Sequence, residues 1–388
     1  MSPEFNRDSL LFRHRQLAPT ASVRVSPLCL GTMTFGTAHN ERYGECSKDS
    51  AFAILDHFYA QGGNFIDTAN VYRDGESEAW LGEWMASRRN RDDMVVATKY
   101  TNPCMFDPSE HITSNYSGTG SKSLKLSIET SLKRLQTTYI DLFYVHFWDF
   151  STTIPELMHS LNDLVVAGKV LYLGISDTPA WIVTLANEYA RNNGLRPFVV
   201  YQGMWNAGMR DFERDIIPMC RQQGMALCPY GVLGQGRFQT EEVYKEREKS
   251  KEGRNFVPLS ARDKQVSAVL EGVAKDNKSA ADVTLLNVAL AYVMQKVPYV
   301  FPIVGQRKVE HLKGSIDALR VALTEEEVAR VEEAYEFDHG FPHTFLSGAL
   351  FGNGPPRQVE GPGDVWLTKN NGPFDWVDEN AKPIRPPQ

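Results

Sequence analysis

The sequence predicts an α/β fold, a (β/α)8 TIM barrel with long βα loops and an irregular C-terminal tail. Short apolar segments alternate with helical patterns eight times between about residues 25 and 320. Several of these segments are continuously apolar, which is typical of parallel strands covered on both faces. Eight strand-then-helix units favour a closed barrel with its site at the carboxyl ends of the strands. An open, doubly wound sheet is the alternative.

The apolar periodicity places each element along the chain. In the first helix, Phe52, Leu55, Phe58 and Tyr59 recur at helical spacing. Strands are predicted at 25–33, 64–69, 94–99, 139–146, 170–176, 198–202, 225–230 and 299–305. Helices are predicted at 48–61, 76–88, 122–135, 153–167, 180–193, 213–223, 261–276, 280–296 and 309–320.

Two long loops and a tail interrupt this alternation. Residues 101–120 follow the third strand, and a mixed-charge loop at about 235–260 follows the seventh. Such βα loops commonly carry substrate specificity. We expect one domain at 1–336, with its barrel core at about 25–320, and a Gly/Pro-rich tail at 337–388 packed on the barrel. The tail's aromatic residues favour packing over disorder, which is the alternative: Phe341, Phe345, Phe351, Trp366, Phe374 and Trp376.

Composition narrows the class of protein. The 388 residues carry a net charge of −7, with a pI of about 5.8, which argues against nucleic acid or an anionic membrane as partner. No apolar run approaches the roughly 18 residues that span a bilayer. The first sixteen residues, MSPEFNRDSLLFRHRQ, lack the apolar core of a signal peptide. Five cysteines without a CxxC pair favour free thiols in the cytoplasm.

Four ionisable residues follow the apolar parts of three neighbouring strands. Asp67 and Tyr72 come with the second strand, Lys99 ends the third, and His146 ends the fourth. Each alone is also typical of a solvated strand end or a satisfied core histidine. Because parallel strands end on one side of a barrel, we expect these side chains to converge on one mouth.

Together the four residues predict a proton donor. A tyrosine has an ordinary pKa of about 10, and a neighbouring ammonium should lower that pKa and strengthen the acid. Asp67 would keep Lys99 charged and oriented, and His146 could orient a carbonyl oxygen by hydrogen bonding. Such a group suits the reduction of an aldehyde or ketone when a cofactor supplies hydride.

Six segments in order resemble the aldo-keto reductases, and they span nearly the whole predicted barrel. They are DTANVYRDGESEAWLGEWM (67–85), VVATK (95–99), YIDLFYVHFWD (139–149), GKVLYLGISD (168–177), YQ (201–202) and PIVGQRKVEHL (302–312). WDF at 148–150 and SDTPAW at 176–181 resemble the fungal aryl-alcohol dehydrogenase branch, including reductases of an aromatic polyketide ketone in aflatoxin biosynthesis.

The resemblance implies an NADPH-dependent, reversible reduction of an aromatic aldehyde or ketone. Tyr72 would be the general acid, Lys99 and Asp67 would tune it, and His146 would orient the substrate. NADP(H) would lie extended across the barrel mouth without a Rossmann domain, and no G-x-G-x-x-G follows the first strand. A cofactor-binding regulatory module on the same barrel, like the potassium-channel β-subunit relatives, is the alternative.

The resemblance also assigns cofactor contacts. Ser176, Asp177 and Gln202 would hold the nicotinamide carboxamide, Tyr230 would stack on the ring, and Asp67 would lie beside it. Asp177 replaces the commoner asparagine, so it can accept a hydrogen bond but offers no donor. Backbone would approach the cofactor closely at Gly31, Thr32, Met33, Gly231, Leu233, Gly234 and Gly236.

The adenosine and its 2′-phosphate would bind near the last strand. The residues implied are Gly305, Gln306, Arg307, His311 and Ser315, the last of which replaces a usual asparagine. Arg307 and Lys308 together favour NADP over NAD, although adjacent basic residues are also typical of a solvated face. Trp148, Trp205 and Phe238 could form an apolar wall for an aromatic substrate beside His146, or could be loop packing.

Three other motifs have weaker support. Tyr292 and Lys296 match the Tyr-xxx-Lys pair of short-chain dehydrogenases but lack the accompanying glycine motif, so a structural role is favoured. His339 and His343 have no third metal ligand in their context, and no metal is predicted. Gly174-Ile-Ser176 lacks the closing glycine of a nucleophile elbow. The sequence leaves the exact substrate, the physiological direction and the oligomeric state open.

Overall fold

Eight parallel strands close into a barrel in the computed structural model, which describes residues 4–104, 109, 111–250, 258–359 and 361–372. The barrel strands are β3 (Cys29–Gly31), β4 (Phe65–Asp67), β5 (Val95–Tyr100), β6 (Ile140–Val145), β7 (Val170–Ser176), β8 (Phe198–Met204), β9 (Ala226–Tyr230) and β10 (Ile303–Gly305). They pair in chain order, β10 lies beside β3, and a parallel bridge between Leu227 and Val300 joins the two ends. The predicted closed barrel is therefore confirmed over the open sheet.

Helices cover the outside of the barrel. They are α1 (Asn40–Tyr43), α2 (Lys48–Ala60), α3 (Glu76–Arg88), α4 (Ser121–Arg134), α5 (Ile154–Val166), α6 (Ala180–Asn192), α7 (Ile216–Gln223), α8 (Glu241–Ser250), α9 (Ala261–Asp276), α10 (Leu285–Lys296), α11 (Val309–Asp317), α12 (Glu325–Glu332) and α13 (His343–Leu346). Side-chain caps fix several starts. Ser47 accepts a hydrogen bond from the Ser50 amide at α2, and Thr153 accepts one from the Glu156 amide at α5.

An antiparallel hairpin that the sequence did not predict seals the floor of the barrel. It consists of β1 (Arg15–Ala18) and β2 (Ala21–Val25). Its side chains Leu17, Ala21 and Val25 are buried in the same cluster as the barrel's interior residues. Because the hairpin closes this end, the cavity described below opens where the strands reach their carboxyl ends.

Four helices were not predicted from the sequence: the short helices α1 and α13, and the longer helices α8 and α12. α8 lies inside the segment expected to be a charged loop, where Lys245 faces Glu241 one turn away; residues 251–257 of that segment lie outside the described residues. α12 begins at a capping box between Thr324 and Glu327. Within the described residues, no helix is both long and apolar enough to cross a membrane.

The described part of the tail contacts the barrel's outer side. His343 Nε2 lies 3.0 Å from the Arg214 carbonyl oxygen, and the Val359 amide donates to His343 Nδ1 at 3.2 Å. The Phe337 ring lies against the guanidinium groups of Arg210 and Arg214. Phe374 and Trp376 lie outside the described residues. The division of the chain at residue 337 stays a prediction.

A buried carboxylate joins the region before α7 to α10. Glu213 is 2% exposed, accepts two hydrogen bonds from Arg210 at 2.7 and 3.0 Å, and lies 3.1 Å from Lys296 Nζ. Burial alone would raise the pKa of Glu213, but Lys296 and Arg210 outweigh it and lower that pKa. Tyr292 also donates to Glu213, at 3.4 Å. The Tyr292 and Lys296 pair thus has a structural partner, as the sequence favoured.

We expect Glu213→Gln to lower the free energy of unfolding at pH 7 by about 3 kcal/mol, because Arg210 and Lys296 lose the more buried of their two carboxylates and keep only Glu332. Since the native pKa is depressed, the stabilisation is present above the ordinary glutamate pKa of about 4.3 and is lost as the pH falls through the native value. Urea unfolding at pH 7 and pH 3 measures this. Glu188→Gln removes the exposed pair with Arg191 and should change stability by less than about 0.5 kcal/mol. Equal effects of the two variants would contradict the prediction.

Candidate active site

The carboxyl ends of three strands bring the four predicted polar residues together. Asp67 is the last residue of β4, Lys99 lies near the end of β5, and His146 follows β6 directly. Tyr72 begins the short 3-10 turn Tyr72–Gly75 between β4 and α3. The expected convergence of these side chains at one mouth is thus what the structure shows, while their roles stay predictions.

Lys99 lies at the centre of this group. Its Nζ donates to Asp67 Oδ1 at 2.5 Å, to the Thr68 carbonyl oxygen at 2.8 Å and to the Tyr72 hydroxyl at 3.3 Å. The side chain is fully buried, and these three acceptors match the three protons of an ammonium. Burial alone would lower the pKa of Lys99, but Asp67 and Tyr72 outweigh it and raise that pKa. The amine therefore stays charged.

The second oxygen of Asp67 reaches across the barrel. Asp67 Oδ2 accepts a hydrogen bond of 2.9 Å from Gln202 Nε2. Because β8 is thereby tied to β4, the carboxylate is held from two sides. Gln202 and Asp177 both face the cavity described below, whereas Ser176 is fully buried behind them, with its hydroxyl 3.3 Å from Asp177 Oδ2.

The pKa of Tyr72 departs from the sequence expectation. Burial raises it above the ordinary tyrosine value, and the Lys99 charge offsets only part of that rise. The expected net lowering of the Tyr72 pKa is therefore wrong. The physical reason is that burial of the phenol outweighs the Lys99 charge, and Asp67, in contact with Lys99, acts in the same direction as burial.

His146 is held in one orientation beside the phenol. The two rings meet edge to face, with centroids 6.0 Å apart. Burial, and then the Lys99 charge, lower the pKa of His146 well below its ordinary value, so the ring is neutral. His146 Nδ1 lies 3.0 Å from Asn102 Nδ2, an amide donor, so the ring proton resides on Nε2. Asn102 was missed from the sequence because a loop asparagine carries no signal of this contact.

A cavity of about 750 Å³ opens beside these residues. Most of the predicted cofactor residues line it: Gly31, Met33, Asp67, Asp177, Gln202, Tyr230, Gly231, Leu233, Gly236, Gly305, Gln306, Arg307, His311 and Ser315, together with Tyr72 and His146. Lys99 lies beneath this lining. Thr32 does not line it because its hydroxyl is buried against the Asp67 carbonyl oxygen and Ser77. Gly234 is buried against the Phe238 ring.

Two of the three residues predicted for an aromatic wall are packed inside the protein, and the role of Trp148 stays a prediction. Trp205 is fully buried and stacks on Phe212 with ring centroids 5.9 Å apart. Phe238 is fully buried as well. For these two residues the packing alternative is correct, and neither turns a face to the cavity. Trp148 is 8% exposed and contacts the exposed Phe150, which follows it at the rim after β6.

The far end of the cavity is polar and cationic. Gln306 Nε2 donates to the Ser315 hydroxyl at 2.9 Å, and Asn287 Nδ2 donates to the Gly314 carbonyl oxygen at 2.8 Å. Burial and the charges of Lys308 and Arg307 lower the pKa of His311. Several lining residues here were not predicted, although the capping box of Thr284 and Asn287 is readable in the sequence: Thr284, Leu286, Asn287, Leu290 and Glu310.

The side chains at the two ends of the cavity fit a nicotinamide dinucleotide. One end offers a carboxyl, an amide and the Tyr230 ring beside the Lys99 group, and the other offers Arg307 and His311 for an anion. The described residues contain no group of three or more His, Cys, Asp or Glu side chains arranged to hold a metal ion.

A buried arginine that the sequence did not single out fixes the loop above the site. The fully buried Arg73 donates to the carbonyl oxygens of Thr34 (3.1 Å), Ala38 (2.6 Å) and Gly44 (2.6 Å) and to Asn40 Oδ1 (2.9 Å). Its backbone has a φ of 54°, in the left-handed region that non-glycine residues rarely adopt. The loop and the turn carrying Tyr72 are thus held in one arrangement.

Comparison with known proteins shows which family and which proteins this chain is similar to. The profile of the Aldo/keto reductase family matches residues 27–336. Norsolorinic acid reductase B of Aspergillus parasiticus is 64% identical over 379 residues, which are 97% of this chain and 98% of that protein. An aryl-alcohol dehydrogenase of Pestalotiopsis microspora is 56% identical, over 98% of this chain and 95% of that protein. Aryl-alcohol dehydrogenase (NADP(+)) of Phanerodontia chrysosporium is 49% identical, over 90% of this chain and 91% of that protein.

Arg73→Met should release the loop at 34–44, because three carbonyl oxygens and one amide oxygen lose their donor. Hydrogen exchange followed by mass spectrometry should show that the backbone amides of residues 34–44 exchange faster by about tenfold or more. Arg88→Met, which removes a part-exposed pair with Asp56 on the outer helices, serves as the control. Exchange at 34–44 that matches the control would contradict the assigned contacts.

Proposed function

The chain belongs to the aldo/keto reductase family, and on this premise we propose that it is an NADPH-dependent reductase that converts an aromatic aldehyde or ketone into its alcohol. The observation that carries the proposal is the buried Lys99, which contacts both Asp67 and the Tyr72 hydroxyl at the wall of a cavity of dinucleotide size. The oxidoreductase class follows from the family, and the substrate and residue roles are proposed.

Tyr72 would act as the proton donor. Its hydroxyl faces the cavity, where a carbonyl oxygen could accept the proton. The phenolate left behind would be stabilised by Lys99 Nζ at 3.3 Å, whose own charge is kept by Asp67. Burial raises the pKa of the free phenol, so the proton stays in place until an oxygen with developing negative charge is presented.

His146 would orient the carbonyl. Since Asn102 occupies Nδ1, the Nε2–H is the donor left to a substrate oxygen. The Tyr72 ring lies edge to face with the imidazole, so both donors can address one oxygen atom. A neutral imidazole positions the oxygen without itself releasing a proton.

The cofactor would occupy the rest of the cavity. Asp177, Gln202 and Tyr230 would hold the nicotinamide end, and Gly305, Gln306, Arg307, His311 and Ser315 the adenosine end. When bound in its reduced form, the cofactor supplies a hydride to the carbonyl carbon, and alcohol oxidation uses the same groups in reverse. Arg307 and Lys308 favour the 2′-phosphorylated form, NADP(H).

The substrate would be a flat aromatic carbonyl. The most similar relatives above are named for norsolorinic acid and for aryl alcohols. We propose an aromatic polyketide ketone of this type, with conversion of norsolorinic acid to averantin in aflatoxin biosynthesis as the first candidate. The ring centroid of Phe147 lies 6.3 Å from that of His146. Phe147 would contact the aromatic ring of the substrate together with Trp148 and Phe150.

Tyr72→Phe should lower kcat for reduction of an aromatic aldehyde by about 10²–10⁴-fold, because the proton donor is lost. NADPH binding, followed by fluorescence titration, should change little. Tyr189→Phe on α6 removes only a distant hydroxyl beside His159 and is the matched control. Turnover by Tyr72→Phe at the control's rate would refute the acid role, and NADPH binding without turnover in the unaltered protein would favour a regulatory module.

Arg307→Ala should weaken NADP(H) binding by about tenfold or more while changing NAD(H) binding much less, because a charged hydrogen bond to phosphate contributes about 1.5–3 kcal/mol. Equilibrium titration with both cofactors measures the ratio. Arg320→Ala, an exposed arginine outside the cavity, provides the control. Equal losses for the two cofactors would count against the phosphate contact.

A further inference from the structure

Asp177 is a second carboxylate at the active-site end of the cavity. It follows β7 directly, and its φ of 42° lies in the left-handed region that aspartate and asparagine tolerate better than most residues. Its backbone amide donates to the Gln202 carbonyl oxygen at 3.1 Å, which fixes the residue against β8. This placement turns the carboxylate toward the cavity, and the proton donation described above does not use it.

The charge of this carboxylate has no partner of opposite sign in contact. Its oxygens are met by the Tyr230 hydroxyl at 3.2 and 3.3 Å and by the Ser176 hydroxyl at 3.3 Å. No ion pair includes Asp177 in the described part of the chain. Asp67 differs, because Lys99 is bound to it directly. The Asp177 side chain remains exposed to water through the open cavity, so a bound ligand would cover it.

The groups around Asp177 leave its charge available near neutral pH. It is faced by Tyr230 from β9, Tyr201 from β8, Tyr72 from the turn after β4, and Lys99 from β5. The tyrosines are neutral, and the pKa of each is raised. Desolvation by the surrounding protein raises the pKa of Asp177 to about 6, against the hydrogen bonds from Tyr230 and Ser176, so the carboxylate is ionised above that pH.

We propose that Asp177 makes the site discriminate between the two oxidation states of the cofactor, binding the cationic oxidised nicotinamide more tightly than the neutral reduced ring. The inference rests on the proposed function, which places the nicotinamide beside Asp177, Gln202 and Tyr230. The two oxidation states differ by one hydride, so the oxidised ring carries one more positive charge. When the nicotinamide ring covers this unpaired carboxylate, only the positively charged, oxidised ring stabilises the negative charge.

This preference has a consequence for the direction of hydride transfer. A site that favours the oxidised form makes the bound reduced cofactor a stronger hydride donor. A tenfold difference in Kd corresponds to about 30 mV in the two-electron potential of the bound couple. Asp177 would thus favour carbonyl reduction over alcohol oxidation.

Asp177→Asn tests the proposal, because it keeps the shape and removes the charge. Kd values for NADPH and NADP+ are measured by calorimetry and NADPH fluorescence at pH 8. We expect the ratio Kd(NADPH)/Kd(NADP+) to fall by roughly three- to tenfold in the variant, the range between an exposed and a partly covered charge pair. Most of the change should come from weaker NADP+ binding.

Glu310→Gln is the matched control, since Glu310 lines the same cavity at the end near His311. Removing that charge should alter the Kd of both oxidation states by one common factor and leave the ratio unchanged. An unchanged ratio in Asp177→Asn would overturn the proposal even if both Kd values shift. Failure of the unaltered protein to bind either form would instead refute the proposed cofactor, and this inference with it.

The pH dependence supplies a second readout that a purely structural role would not change. In the unaltered protein, the preference for NADP+ should be full near pH 8 and should decline as the pH is lowered through about 6, where Asp177 becomes protonated. In Asp177→Asn the ratio should be flat between pH 5.5 and 8. Titration of the 2′-phosphate affects both forms alike and cancels in the ratio. A decline that persists in the variant would overturn the assignment to Asp177.

Discussion

The contact between Lys99 and Asp67 inside the barrel is the interaction on which the site depends. A buried ion pair is stable only when its remaining donors and acceptors are also satisfied. Here the Thr68 carbonyl oxygen and the Tyr72 hydroxyl accept the other two hydrogen bonds of the Lys99 ammonium, and Gln202 donates one to the second oxygen of Asp67. The pair therefore joins the neighbouring strands β4 and β5, Gln202 ties it to the distant strand β8, and the position of the phenol is set by Lys99. The cavity, the imidazole and the cofactor end are arranged around this centre.

The two carboxylates at the mouth of the barrel, Asp67 and Asp177, lie in different surroundings. Asp67 is 2% exposed and neutralised by a lysine, so its charge serves to hold another charge in place. Asp177 faces the open cavity among neutral hydroxyls, so its charge is free to act on a ligand. Environments that separate two like groups in this way commonly mark different roles in one reaction.

Much of this arrangement could be predicted because parallel strands carry their ends to one place. The residue at the end of an apolar strand is visible in the sequence, which is why Asp67, Lys99 and His146 were found. The bounds of α3 also agree with the prediction. Contacts that arise between loops leave no such signal. Arg73 and Asn102 act through backbone carbonyls and a ring nitrogen that only the folded chain brings near, and the side-chain direction of Trp205 is equally a tertiary property. The hairpin at the floor is too short for its burial pattern to be read before a barrel exists to receive it, and α8 has charged pairs instead of an apolar face.

The closure of the barrel is uneven, and the unevenness lies beside the cofactor cavity. Seven neighbouring strand pairs share between two and five aligned residues, whereas β9 is joined to the segment just before β10 by the single bridge of Leu227 and Val300. The loops leaving these two strands supply Gly231, Leu233, Gln306 and Arg307 to the cavity wall. Because few backbone hydrogen bonds must be lost there, this seam is where the barrel can widen most easily, and widening there would enlarge the cavity.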